Sequence, residues 1–129
     1  MSDIDAVAMI AVLQYLGFAT LVGNARHTYG IRAPAVTGHE SFERLYRVQM
    51  NTMELLIAFL PALYVAGRYW PASFVAGSGA VYVLGRFVYW RAYVHEPSGR
   101  SLGFLLSLAP IVGLALASLA AVAAGRPAA

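Results

Sequence analysis

From Ala6 to Arg26 the chain runs apolar, and no charged side chain appears before the last of these residues. A helix of about 20 such residues crosses the roughly 30 Å of hydrocarbon in a bilayer. In lipid, only helices and closed barrels satisfy their own backbone polar groups. Three further runs follow, over about 44–67, 71–94 and 101–125, and the last carries no charge at all. With 60% hydrophobic and 12% charged residues in a chain of 129, there is too little polar surface to cover a water-soluble domain of this size. These runs predict an all-α fold, an integral membrane bundle of four helices forming a single domain over 1–129. The acidic start Met1-Ser2-Asp3-Ile4-Asp5 lacks the basic flank of a secretory signal, so the first run is expected to be a permanent helix.

Two links are short, Arg68 to Trp70 and His95 to Gly99, which makes neighbouring helices antiparallel; the link from His27 to Glu43 is longer and carries Gly30, Pro34 and Gly38 as turn formers. All nine basic residues are arginine. Arg26, Arg32, Arg44, Arg47, Arg91 and Arg100 gather towards the first and third links, whereas Arg68 and Arg126 lie at the opposite end. The positive-inside rule then places those two links in the cytoplasm and both termini outside it. A bacterial inner membrane suits so compact a plan. Basic residues confined to one type and to helix ends do not form the mixed polar patch of a nucleic-acid binder, so no nucleic-acid partner is expected. The chain has no cysteine, which excludes disulfides, thiolate metal sites and a protein-borne thiol nucleophile. His27, His39 and His95 lack metal-ligand spacing, and no metal is expected. Pro61 and Pro110 each remove a backbone donor within a span and predict kinks. Small residues at four-residue spacing, Ser73 with Gly77 and Gly113 with Ala117, Ala121 and Gly125, suit close helix contact, although Gly and Ala are common in membrane helices in any case.

The chemistry concentrates in Phe42-Glu43-Arg44-Leu45-Tyr46-Arg47-Val48-Gln49-Met50-Asn51-Thr52-Met53-Glu54. On a helix, Arg47, Asn51 and Glu54 fall at i, i+4 and i+7, a polar stripe leading from the cytoplasmic edge into the membrane. A carboxylate at such depth costs at least a few kcal/mol, so Glu54 needs a cation or a proton. Glu43 and Arg47, at i and i+4, are expected to pair, and Arg44 is free to snorkel towards headgroups. The third span adds Arg86, Tyr89 and Tyr93 at i, i+3 and i+7, with Trp90 beside them; by themselves these aromatics also fit an interfacial belt. Arg26 closes the first span and Arg100 opens the fourth. Arginine forks bind carboxylates, a buried Glu suits an ammonium group, and phenols serve either polarity. A small peptide with two carboxylates and an amine would use all of them; glutathione is one, and it brings the thiol that the chain lacks.

The string Phe42-Glu43-Arg44-x-Tyr46-Arg47-x-Gln49-x-Asn51-x-x-Glu54, then Arg86-x-x-Tyr89-x-x-x-Tyr93 and Arg100, resembles the membrane-associated proteins of eicosanoid and glutathione metabolism, the MAPEG family, over nearly the whole chain. The resemblance implies a homotrimer of four-helix subunits with glutathione, the co-substrate, between adjacent subunits near the cytoplasmic side. Arg47, Asn51, Glu54, Tyr89 and Tyr93 would bind it from one subunit and Arg26 and Gln49 from the next. Arg86 would assist, and Arg100 would be the catalytic group that stabilises the thiolate. The implied activity is that of a microsomal-type glutathione transferase acting on lipophilic electrophiles from the membrane lipid in a detoxifying role, with peroxidase activity towards lipid hydroperoxides as a second capability. Leu55 departs from the pattern of the leukotriene synthases, where a tyrosine follows the glutamate. The alternatives are a non-catalytic lipid-binding or scaffold protein of the same fold and a small oligomeric transporter.

Overall fold

The computed structural model describes residues 2–129. It holds four long helices, α1 (Ser2–Tyr29), α2 (Glu40–Gly67), α3 (Ala72–His95) and α4 (Ser101–Ala123), with a 3₁₀ turn over Pro97–Arg100 leading into α4. Among the described residues there is no strand. All four are long and apolar enough to cross a bilayer, so the protein is a multi-pass membrane protein. The 28 residues of α1 extend about 42 Å, longer than the hydrocarbon layer; α1 and α2 begin before the spans read from hydropathy, α3 is shifted by one residue, and α4 ends at Ala123, short of the expected 125.

Each end has a local cause. Gly30 at φ 66 takes the left-handed position after α1, and the amide of Ile31 closes back on the Arg26 carbonyl at 3.0 Å. At the start of α2, the His39 ring accepts from the Ser41 amide, and Glu43 accepts from the Gly38 amide at 3.0 Å. Glu43 is therefore engaged at the helix start, and the expected Glu43–Arg47 pair does not form. Arg44 is engaged within the chain: it pairs with Glu40 and donates to the Val94 and His95 carbonyls, tying α2 to the end of α3. Both α2 and α4 continue as helix through Pro61 and Pro110.

The core joins all four helices: Ile4, Ala8 and Ala11 meet Phe59, Leu63, Val75, Tyr82, Ile111 and Leu114, with Phe59 stacked on Tyr82 at 3.9 Å. Large apolar side chains also face outwards, Ile57 at 70% exposure and Leu119 at 66% among them, as a lipid-facing surface requires. The tightest crossing is between α3 and α4. A Cβ on Gly103 would lie 2.3 Å from the Tyr89 backbone nitrogen, and one on Gly85 would lie 2.7 Å from the Leu106 carbonyl carbon. The glycines in the small-residue stripes behave otherwise: Gly77 and Gly113 face open space within the chain.

Candidate functional site

The α3–α4 crossing sets the floor of a cavity at one end of the bundle. Arg47 and Asn51 from α2, Tyr89 and Tyr93 from α3, Arg100 from the 3₁₀ turn and Ser101, Phe104 and Leu105 from α4 line about 670 Å³. That is ample for a tripeptide-sized ligand. The inward face of α2 is set by Val48, Thr52 and Phe59, all fully buried, which turns Arg47 outward to the rim and leaves Asn51 half-buried at the wall. Tyr89 stacks on Tyr93 at 5.4 Å and approaches Phe104 at 6.5 Å, so the aromatic rings pass into an apolar lip on α4.

Beneath the wall lies Arg86, fully buried. Its Nε donates to Ser107 Oγ at 2.8 Å, its Nη1 donates to Asn51 Oδ1 at 2.7 Å and Thr52 Oγ1 at 3.3 Å, and its guanidinium stands 4.4 Å from the centre of the Tyr89 ring. Its remaining nitrogen, Nη2, has no partner among the described residues. A buried charge costs several kcal/mol unless polar groups replace its hydration, and here two hydroxyls, one amide oxygen and a ring face do so in place of a carboxylate.

Of the residues singled out from sequence, Arg47, Asn51, Tyr89, Tyr93 and Arg100 meet in this cavity. Arg86 supports it from below without lining it. Arg26 lies elsewhere, donating to the Ala35 carbonyl at 2.6 Å and standing over the Phe42 ring. Gln49 is half-buried and off the cavity. Glu54 is exposed on the outside of the bundle, without an ion pair among the described residues. It sits two residues beyond Thr52, so when Thr52 faces the core Glu54 points to the opposite side of the helix. Leu55 packs against the main core rather than the cavity. Trp90 packs on Phe18 at 5.8 Å, in the same apolar cluster as the two tyrosines but off the cavity.

Sequence reasoning missed Ser101, Phe104 and Leu105 as walls, and Thr52 and Ser107 as partners of Arg86. One signal was present: an arginine in the middle of a span requires acceptors, and hydroxyls in neighbouring spans are the natural supply. Among the described residues the ion pair found joins Arg44 to Glu40, so Arg47, Arg86 and Arg100 share one end of the bundle without a counter-ion. No cluster of metal-ligating side chains occurs among the described residues.

Residues 5–120 match the sequence pattern of the MAPEG family. The chain is 39% identical to microsomal glutathione S-transferase 2 of Homo sapiens over 111 residues, 86% of this chain and 76% of that one. It is 40% identical to an uncharacterised protein of Synechocystis over 117 residues, covering 88% of this chain and 85% of the other. Against leukotriene C4 synthase of Cavia porcellus the identity is 34% over 122 residues, with 83% and 81% covered. The extent of these matches, on a bundle of four membrane-spanning helices, makes the chain a member of the MAPEG family.

Proposed function

We propose that this protein is a membrane-bound glutathione transferase that joins the glutathione thiolate to lipophilic electrophiles. The observation that carries the reading is a cavity bordered by two arginines, an amide and two phenols, with no carboxylate in its wall and an apolar lip beside it. Cations without counter-ions attract a dicarboxylate peptide, and Phe104 with Leu105 offers the electrophile an approach from the bilayer side. The related glutathione transferase and leukotriene C4 synthase support the same chemistry.

Arg100 is the catalytic group in this reading. It stabilises the thiolate by placing a cation beside the sulfur, and the thiol proton leaves to solvent before the sulfur attacks. The new carbon–sulfur bond forms as the electrophile's leaving group departs with its electron pair. Towards a lipid hydroperoxide the same thiolate attacks the terminal oxygen, the lipid leaves as its alcohol after taking a proton, and a second glutathione completes the disulfide and water. Glutathione binds to Arg47, Asn51, Tyr89 and Tyr93 of one subunit. Glu54, on the outer surface of that same subunit, completes the set where adjacent subunits of a homotrimer meet, and Arg26 and Gln49 join it from the neighbour. The membrane is a bacterial inner membrane, with both termini outside the cytoplasm.

Calorimetry of the detergent-solubilised protein tests the binding half of this proposal. Glutathione binds the parent, and Arg47→Ala weakens it by at least about tenfold, as expected for a lost charge-assisted bond. A parent that does not bind glutathione would overturn the transferase reading and leave a lipid-binding protein of the same fold in its place.

A further inference from the structure

Arg86 lies behind the cavity wall and has no counter-ion among the described residues, yet it touches Asn51 and Tyr89, which line the cavity. We propose that Arg86 is a positioning residue: it holds the Asn51 carboxamide with its oxygen inward and its nitrogen turned to the cavity, so that the ligand meets a donor at that point. Only the identity of the ligand rests on the transferase reading.

An asparagine side chain has an accepting and a donating end of nearly the same shape, and what it offers a ligand depends on which end is turned outward. A guanidinium has donors only. With Arg86 Nη1 at 2.7 Å, the end of Asn51 facing inward must be the oxygen. Arg86 is in turn fixed from the far side. Its Nε donates to Ser107 Oγ at 2.8 Å, while the Ser107 hydroxyl donates its own proton to the Gly103 carbonyl at 2.6 Å. The direction of each bond from the α4 backbone to Asn51 is thereby settled. The absence of a Cβ at Gly103 and Gly85 lets α4 approach closely enough for Ser107 to reach Arg86. The guanidinium also stands against the Tyr89 ring, so the same planar group braces a second wall of the cavity. A lysine has neither the plane nor the fork for these contacts.

The consequence is a wall in which Arg47, Asn51 and Arg100 all present donors, which selects ligand carboxylates and carbonyls at these points. The chain contains two asparagines, Asn24 and Asn51, so asparagine labelled with nitrogen-15 gives two side-chain amide signals in the full-length protein. In the parent, Asn51 is expected to show one sharp pair; in Arg86→Met that pair broadens or shifts towards an averaged position while Asn24 stays unchanged. An Asn51 pair that is the same in both proteins would overturn the proposal, whether or not glutathione binds. The second readout is a double-mutant cycle on the glutathione Kd. Arg86→Met weakens binding about tenfold in the parent and less than about twofold in an Asn51→Ala background. Equal losses in the two backgrounds would reduce Arg86 to a general structural role. Should Arg86→Met fail to fold, Ser107→Ala removes only the outer anchor and is expected to disturb the same Asn51 pair. An undisturbed pair there counts against the proposal, and a parent that does not bind glutathione counts against the transferase reading alone.

Discussion

Among the described residues Arg100 donates to a single group, the Pro97 carbonyl at 3.1 Å, which leaves most of its donors for whatever occupies the cavity. Replacing it should therefore disturb the ligand's reactivity more than its residence. In Arg100→Ala the ultraviolet thiolate absorbance of bound glutathione should fall to background and kcat by about a hundredfold or more, with the Kd changed by less than about tenfold. A thiolate signal that survives the substitution would remove Arg100 from its catalytic place. The residues of this site were legible to different degrees. Arg47 with Asn51, and Tyr89 with Tyr93, share a helix face by spacing alone, and the cavity gathers both pairs. Glu54 faces the same way as Arg47 but lies about 10 Å further along α2, past the cavity that Arg47 borders, and where along α2 the neighbouring helices form that cavity is not determined by spacing within one helix. The partners of Arg86 lie 34 to 35 residues away on α2 and 21 away on α4, and no local pattern announces them.

Among the helices, the α3–α4 pair has the least room to adjust. A methyl group at Gly103 meets Tyr89 backbone atoms rather than a flexible side chain, so one helix must move. Gly103→Ala is expected to destabilise the bundle by about 1–3 kcal/mol through overpacking. It should also weaken glutathione binding, because Tyr89 and Ser107 shift with the crossing. Gly113→Ala, in open space on the same helix, should leave both unchanged or slightly raise stability through helix propensity. Thermal unfolding in detergent compares the two; equal melting temperatures would mean that α4 is free to slide. Hydropathy revealed four spans because lipid demands continuous apolar helices. It did not reveal which glycines meet a neighbour, since Gly77, Gly85, Gly103 and Gly113 are alike in sequence and differ only in what stands opposite them. The 3₁₀ turn before α4 was likewise hidden in a link whose Pro and Gly announced no more than a turn.

For the complete bundle, the arginine distribution makes a test of orientation simple, because the chain has no cysteine to give background. Ser98→Cys, in the third link, should react with an impermeant thiol reagent only when the cytoplasmic face is exposed, and Ala128→Cys only from the other side. The reverse pattern would invert the topology. The same cysteine-free chain suits cross-linking across subunits, where a homotrimer predicts a ladder ending at three copies. The end of the bundle remote from the cavity is fastened more than once. Arg126 donates to the Tyr69 carbonyl at 2.7 Å and stands over Trp70, Trp70 donates to the Ala117 carbonyl at 2.9 Å, and the Ala129 amide reaches the Arg68 carbonyl at 2.7 Å. The cavity residues are divided between α2 on one side and the α3–α4 pair on the other. At the cavity end the two sides are joined as well, by Arg44 to the Val94 and His95 carbonyls and by Arg86 to Asn51. A cavity whose walls are tied at both ends of the bundle meets its ligand with little left to order, so that little lost freedom of the protein opposes binding.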